Sequence, residues 1–235
     1  MFFTEEFTPR LSDAKPDGTL SPEAILQIFE TIGTHQALKV GDIVVNENLS
    51  WIQLQWYFKV FRLPKVTEKL LVTTWGRGNA DSLIINRDYV MKSETGEELI
   101  GASGKFGILD LEHGKMLRVS AERFNKYQPE SRQMFDNIPV KLVFPDFIDD
   151  GKPIFLRKSD MDFNNHVHNT KYIDFALNAL PDDVYEKNNI TEYRIDYRLG
   201  VTLKDKPVIK SAFKDGAYYF GIYSNGKLCT TIFLK

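Results

Sequence analysis

The spacing of apolar side chains predicts the same succession of elements in each half of the chain, a helix followed by antiparallel strands. Ser21 and Pro22 are typical of a helix start, and apolar residues recur at helical spacing from Ile25 to Ile32. From residue 52 onward, apolar and polar positions alternate with the period that characterises a strand. Strands are expected at 52–60, 69–75, 83–91 and 99–109.

The second half repeats this order after a stretch that is rich in proline and scattered charge. Apolar residues recur at helical spacing from Tyr172 to Leu180. An Asp-Gly pair at 215–216 and an Asn-Gly pair at 225–226 are strong signals for hairpin turns. The two halves share little local sequence, so we expect the repeat to be architectural. Strands are expected at 193–198, 207–213, 217–223 and 228–234.

This order predicts an α+β protein in which each half is a long helix wrapped by an antiparallel sheet. The expected domains are residues 1–112 and 153–235. A crossing linker is expected at 113–152, because its prolines and mixed charges do not fit a core element.

Composition narrows the class of protein. With 43% hydrophobic and 13% aromatic residues, the chain can bury a sizeable core. A net charge of -2 argues against a dedicated nucleic-acid binder. The single cysteine, Cys229, excludes an internal disulfide and fits a reducing compartment. No apolar run approaches the length of a membrane span, so we expect a soluble cytoplasmic protein.

A polar turn leads directly into the second helix, and it is the candidate functional site. Its titratable and amide side chains stand at alternate positions: Asp160, Asp162, Asn164, His166 and His168. Two other interpretations stay open at this point. Asp and Asn also favour plain capping turns, and the two aspartates with the two histidines include the side-chain types that bind metal ions.

The residues around this turn resemble a known family. The run 159–172, SDMDFNNHVHNTKY, resembles the S-D-L-D-x-N-x-H-V-N-N-x-x-Y signature of the acyl-acyl carrier protein (acyl-ACP) thioesterases. Segment 195–198 is similar to that family's L-D-Y-R, and Trp75, Arg77 and residues 86–88 look like its first-half W-x-x…R-R-D region. The resemblance implies two tandem hot-dog folds, an enzyme that ends fatty-acid synthesis by releasing free fatty acids, and acyl carrier protein as the partner.

The sequence departs from the family pattern in two places. His168 replaces the first Asn of H-V-N-N, and plant members have Glu-Cys where this chain has Gly200 and Val201. Cys229 lies on another expected strand, so it does not replace the family cysteine. We expect a three-residue site, with Glu192 and Asp196 as the nearest candidates for a substitute carboxylate.

Thioester hydrolysis assigns a role to each side chain of the turn. His166 is the candidate general base, because its unperturbed pKa is close to neutral pH. Asp162 could orient the imidazole ring or attack the carbonyl itself, and Asn164 could fix the water or bind the carbonyl oxygen. Backbone N–H groups at 167–169 are the expected oxyanion donors. Neither a metal nor an organic cofactor is expected.

The remaining predictions concern binding. The first half is expected to hold the acyl tail, and the candidate contacts are Ile52, Leu54, Trp56, Phe58 and Trp75, although tryptophans more often pack in a core. Arg157 and Lys158, just before the turn, are the candidate docking residues for an acidic carrier. A homodimer is one option for assembly. The alternatives for function are a hot-dog acyl-coenzyme A thioesterase and a non-catalytic acyl-binding protein.

Overall fold

The computed structural model describes residues 1–140, 142–146, 150–187 and 189–235, and the chain divides into two compact units, Met1–Asn137 and Ile138–Lys235. Residues 113–137, which we expected within the linker, belong to the first unit. There the strand Lys115–Leu117 pairs with the strand Glu98–Asp110, and Phe124 of the short helix Ala121–Lys126 is buried. Within the described residues, no helix has both the length and the apolar character needed to cross a membrane.

The first unit is one long helix and an antiparallel sheet. The elements are β1 Phe3–Phe7, α1 Pro22–Lys39, β2 Leu49–Val60, β3 Leu70–Arg77, β4 Ile85–Ser93, β5 Glu98–Asp110, β6 Lys115–Leu117 and α2 Ala121–Lys126. The sheet has the order β1-β3-β4-β5-β2, with β6 paired to β5. Ser21 caps α1 by accepting a hydrogen bond from the N–H of Ala24 at 3.1 Å, as predicted from the sequence.

Aromatic packing joins α1 to the first sheet. The ring of Phe29 lies 6.1 Å from that of Trp56 and 5.0 Å from that of Tyr89, centroid to centroid. All three side chains are buried, so this cluster forms the centre of the core on the helix-covered face.

The second unit is also an antiparallel sheet with helices. Its elements are β7 Lys152–Pro153, α3 Lys171–Leu177, α4 Asp182–Lys187, β8 Glu192–Tyr197, β9 Val208–Lys214, β10 Ala217–Ser224 and β11 Lys227–Leu234. The sheet has the order β8-β11-β10-β9-β7. Its two hairpins follow the prediction from the sequence: Asp215, Gly216, Asn225 and Gly226 all have positive φ, as turns of this kind require.

The helix of the second unit is shorter than its apolar spacing predicts. It covers the seven residues Lys171–Leu177. Pro181 interrupts the pattern, because proline disfavours helical backbone in the residue before it and cannot donate a helical hydrogen bond. Leu180 is nevertheless buried, so the apolar spacing predicted burial correctly and helix length incorrectly.

Both units enter their helix through the same local structure, which we call the Arg-x-Ser-Asp turn. Leu11–Asp13 and Lys158–Asp160 are 3₁₀ turns. The backbone N–H of Arg10 donates to Asp13 Oδ2 at 2.8 Å, and that of Arg157 donates to Asp160 Oδ2 at 2.7 Å. Both aspartates are buried. The halves therefore do share a local sequence repeat, contrary to the expectation that the repeat is purely architectural.

Candidate active site

The segment after the second Arg-x-Ser-Asp turn, residues 161–167, folds back on itself; we call it the catalytic turn. The N–H of Asp162 donates to the carbonyl of His166 at 2.7 Å. Asn165 has a φ of 61°, a left-handed conformation that asparagine tolerates better than most residues. Asp162 Oδ1 accepts hydrogen bonds from the N–H groups of Asn164 at 2.8 Å and His166 at 3.0 Å. The Asp162 carboxylate therefore shapes this turn.

This geometry corrects one predicted role of Asp162. We expected its carboxylate to orient the imidazole of His166, but it binds the backbone N–H of that residue instead. No residue in the described part of the chain hydrogen-bonds to the imidazole of His166. The local reason is that the short side chain of Asp readily reaches backbone N–H groups a few residues further on in its own turn, and these groups use the oxygen that would otherwise face the ring.

The imidazole of His166 is exposed and lies against the backbone of Gly200. A Cβ atom added to Gly200 would stand 2.6 Å from Cδ2 and 3.1 Å from Nε2 of His166. The N–H of Val167 also donates to the carbonyl of Val201 at 2.7 Å, which holds the catalytic turn against the loop that contains Gly200 and Val201. Because glycine has no Cβ atom, the ring can lie against the backbone here, and a side chain at position 200 would displace it.

The backbone N–H groups that we expected to bind the oxyanion are largely occupied. The N–H of Val167 is bonded to Val201, and that of His168 donates to the carbonyl of Asp160 at 2.8 Å. Moreover, α3 begins only at Lys171. The prediction is wrong for residues 167 and 168, because bonds made by the turn itself use these donors. The side-chain amides of Asn164 and Asn165 are the remaining amide donors of the catalytic turn, and Asn164 is the one that the sequence predicted for this role.

The first unit contains the same turn with different side chains. The N–H of Lys15 donates to the carbonyl of Thr19 at 2.8 Å, and Gly18 has a φ of 78°. In this alignment of the two turns, Lys15, Asp17 and Thr19 replace Asp162, Asn164 and His166. Because both units form this turn, the fold itself requires the backbone turn, and Asp160, like Asp13, is explained as a capping residue. Capping does not explain the side chains of Asn164 and His166, which make no hydrogen bond within the turn.

Tyr172 and Cys229 lie behind the loop that contacts His166. Burial raises the pKa of the Tyr172 hydroxyl, and a hydrogen bond from the backbone of Val201 opposes the shift. The carbonyl of Cys229 accepts hydrogen bonds from the N–H groups of Arg198 at 2.9 Å and Leu199 at 3.1 Å. Burial raises the pKa of the Cys229 thiol, which keeps it protonated and a poor nucleophile.

Neither candidate for a substitute carboxylate contacts His166. Asp196 forms a two-point ion pair with Arg194, at 2.8 and 3.0 Å. Glu192 begins β8, and its backbone pairs with Lys235. At ~3.3 Å per residue, it lies roughly 16 Å from the other end of that strand. The described contacts therefore favour the three-residue site.

The predicted acyl-binding residues do not form one wall. A register shift between Gln53 and Gln55 creates a bulge at Leu54. Gln53 opposes Phe106, whose ring contacts Trp56 at 6.0 Å, so Ile52 lies on the face opposite to Trp56 and Phe58. Both Trp56 and Phe58 are fully buried.

Trp75 also lies away from that cluster. Its neighbour Thr74 opposes Tyr89, which contacts Trp56, so the side chain of Trp75 points to the other face of the sheet. There its indole N–H donates to the carbonyl of Arg132 at 2.8 Å, and its ring contacts Phe2. Trp75 thus packs the segment around Arg132 onto the first sheet, as the core-packing alternative predicted.

The predicted docking residues flank the catalytic turn. Arg157 and Lys158 are exposed, and Arg157 lines a cavity of about 310 Å³ together with Phe155 and Lys171.

The metal-binding alternative requires several ligands close together. Among the described residues, there is no group of three or more His, Cys, Asp or Glu side chains that could hold a metal ion. Asp160 is buried in its turn, and His168 Nδ1 lies 3.0 Å from Thr170 Oγ1.

Fold and sequence together place the chain in a class and then in a family. Each unit has a helix on an antiparallel sheet, and in the second unit a D-x-N-x-H turn precedes the helix. This arrangement defines a tandem hot-dog protein of the α+β class. The family model for "Acyl-ACP thioesterase N-terminal domain" matches residues 1–127, and that for the C-terminal domain matches residues 149–220. The chain belongs to the acyl-ACP thioesterase family, as the resemblance implied.

Curated relatives and solved structures agree with this assignment. The chain is 22% identical over 221 residues to a dodecanoyl-[acyl-carrier-protein] hydrolase of Cinnamomum camphora, covering 86% of this chain and 57% of the relative. It is 22% identical over 217 residues to the oleoyl-acyl carrier protein thioesterase 2 of Arabidopsis thaliana, covering 83% and 59%. The chain thus spans less than two thirds of the length of these relatives.

The structural similarity extends over the whole chain. The 12:0-ACP thioesterase from Umbellularia californica superposes with a TM-score of 0.87 at 18% identity, covering 100% of this chain and 96% of the other. An acyl-ACP thioesterase from Bacteroides thetaiotaomicron superposes with a TM-score of 0.83 at 16% identity, covering 99% and 96%. These similarities show the fold, and they confirm the predicted fold class.

Proposed function

We propose that this protein hydrolyses fatty acyl-ACP thioesters to free fatty acid and carrier, which would end fatty-acid synthesis. One observation carries the proposal beyond family membership. Two turns of the same backbone geometry occur in the chain, and only the second combines a carboxylate, an amide and an exposed imidazole. A turn needed only for the fold would not require Asn164 and His166, because Asp17 and Thr19 suffice in the first unit.

In the proposed mechanism, the imidazole of His166 removes a proton from water, and the water oxygen bonds to the thioester carbonyl carbon. The side-chain amide of Asn164 donates a hydrogen bond to the developing oxyanion. When the C–S bond breaks, the leaving thiolate takes the proton back from His166. We favour water over Asp162 as the nucleophile, because Asp162 Oδ1 already accepts two N–H bonds that shape the turn.

The binding roles are part of the same proposal. The first unit would hold the acyl tail, on the strand that contains Trp56 and Phe58, and Arg157 and Lys158 would contribute to carrier docking. A cytoplasmic location and a homodimer also remain proposals. The plant relatives are named as chloroplastic, which leaves the compartment of this chain open.

The test is hydrolysis of a panel of acyl-ACP and acyl-coenzyme A esters, followed by thiol release. We expect higher kcat/KM on the carrier esters. His166→Ala should lower kcat by about a hundredfold or more, because a general base contributes on that order. His113→Ala is the matched control, since His113 is exposed and pairs with Asp110 at 2.8 Å in the first unit.

Each alternative gives a distinct result. Higher kcat/KM on coenzyme A esters would favour the acyl-coenzyme A thioesterase. Tight binding of acyl esters with no hydrolysis by the unmodified protein would favour an acyl-binding protein. Native kcat in a folded His166→Ala protein would remove His166 from the mechanism.

A further inference from the structure

A second surface borders the catalytic turn, formed by residues 198–206, which we call the basic loop. It follows β8 and is attached to the catalytic turn at two points. The N–H of Val167 donates to the carbonyl of Val201, and His166 and Thr202 form an isolated antiparallel bridge. Gly200, in the middle of the loop, contacts the imidazole of His166. Any molecule that binds this loop therefore lies directly beside the reactive group.

The basic loop is held in one conformation by Asp205. One oxygen of its carboxylate accepts hydrogen bonds from the N–H and the hydroxyl of Thr202, at 2.7 and 2.8 Å. The other oxygen accepts from Ser224 and Asn225, each at 3.0 Å. These bonds hold the pKa of Asp205 below its usual value, so the carboxylate stays ionised near neutral pH. The loop is thus a preorganised surface.

The outward-facing residues of the loop combine positive charge with apolar area. The loop contains three cations, Arg198, Lys204 and Lys206, all exposed. Its only acidic residue is Asp205, whose two oxygens are both engaged within the structure. Two leucines are exposed between the cations, Leu199 at 48% and Leu203 at 43%. The catalytic turn adds Phe163, which is 84% exposed.

We propose that the basic loop is a docking surface for the acidic carrier that presents the acyl thioester; this inference rests on the proposed function. Three cations around exposed leucines fit a protein that offers carboxylates around an apolar patch. An acyl-coenzyme A ester, which carries phosphate groups but no protein, could pair with the cations. It would leave Leu199, Leu203 and Phe163 without an apolar partner. The whole chain has a net charge of -2, so attraction of an acidic partner has to come from a local surface.

The experiment compares the double variant Lys204→Glu/Lys206→Glu with the unmodified enzyme on two substrates. One substrate is an acyl-ACP, and the other is the same acyl group on N-acetylcysteamine, which is small and uncharged. The ratio of kcat/KM on the first substrate to kcat/KM on the second should fall roughly tenfold, mainly through KM. The salt dependence of kcat/KM on acyl-ACP should flatten, because charge-steered association weakens with ionic strength.

Lys214→Glu/Lys235→Glu is the matched control. It makes the same change in net charge with two exposed lysines at the opposite end of the second sheet. The control should leave the ratio within about twofold. A second variant, Leu203→Ser, removes exposed apolar area without changing charge and should also lower the ratio.

The outcomes separate this inference from the proposed function. If the unmodified protein hydrolyses neither substrate, the proposed function fails. If it hydrolyses both and the control lowers the ratio as much as Lys204→Glu/Lys206→Glu, only net charge acts and the docking inference is overturned. An equal loss of kcat/KM on an acyl-coenzyme A ester would also overturn it, because the loop would then recognise a phosphate and not the carrier protein.

Discussion

The contact between Gly200 and His166 leads to a quantitative prediction for Gly200→Ala. The new Cβ atom would lie 2.6 Å from Cδ2 of the imidazole, whereas ordinary contacts begin at 3.4 Å, so the ring has to move by about 0.8 Å. Catalytic groups need to be held within about 0.5 Å of their productive position. A displacement of ~1 Å can cost about a hundredfold in rate. We therefore expect kcat to fall by roughly ten- to a hundredfold.

The same variant should change stability very little. Gly200 is not in a left-handed conformation, so alanine fits its backbone. The imidazole is exposed, so it can move into solvent without opening a cavity. We expect the free energy of unfolding to stay within about 1 kcal/mol of the native value in denaturant titration, since surface substitutions usually have small effects.

A double-mutant cycle shows whether the effect acts through the imidazole. In a His166→Ala background there is no ring to displace, so adding Gly200→Ala should leave the residual kcat within about twofold. The assay is thiol release from a saturating small thioester, which removes any contribution from carrier docking. A native kcat in Gly200→Ala, or an equal loss of rate in both backgrounds, would refute the reasoning.

Two further predictions follow from the contacts of single residues. Asp162→Asn should retain kcat within about tenfold, because the amide oxygen can still accept the two backbone N–H bonds, whereas Asp162→Ala should lose far more. A loss in Asp162→Asn as deep as that of His166→Ala would instead show that the carboxylate charge takes part in the chemistry. Trp56→Ala should destabilise the protein by about 3–5 kcal/mol in denaturant titration, because its buried ring packs against Phe29 and Tyr89. A cost below about 1 kcal/mol would contradict its place in the core.

The family and the candidate site were accessible from the sequence because the patterns that indicate them are local. The D-x-N-x-H segment of the catalytic turn and the helix start at Ser21 are contiguous patterns. The hairpins at 215–216 and 225–226 are also local, since a turn with two positive φ values depends mainly on the residues that occupy it.

The contacts of the site depend on residues that are distant in the sequence. Gly200 stands 34 positions after His166, and the Val167–Val201 hydrogen bond and the bridge between His166 and Thr202 bring the two together. The role of Asp162 was likewise undecided, because its carboxylate could have reached a ring or a backbone group. In the folded turn, the carboxylate binds backbone N–H groups.

One extra residue in a strand decides which side chains share a face. The sequence alternation in β2 predicted that Ile52, Leu54, Trp56 and Phe58 form one wall, yet the bulge at Leu54 moves Ile52 to the other face. Because side chains in a strand alternate with a period of two, a single inserted position reverses every assignment beyond it. The sequence by itself determined that this strand exists and which of its residues are apolar. Only the pairing of β2 with β5, set by hydrogen bonds between distant segments, decided which side chains face the helix.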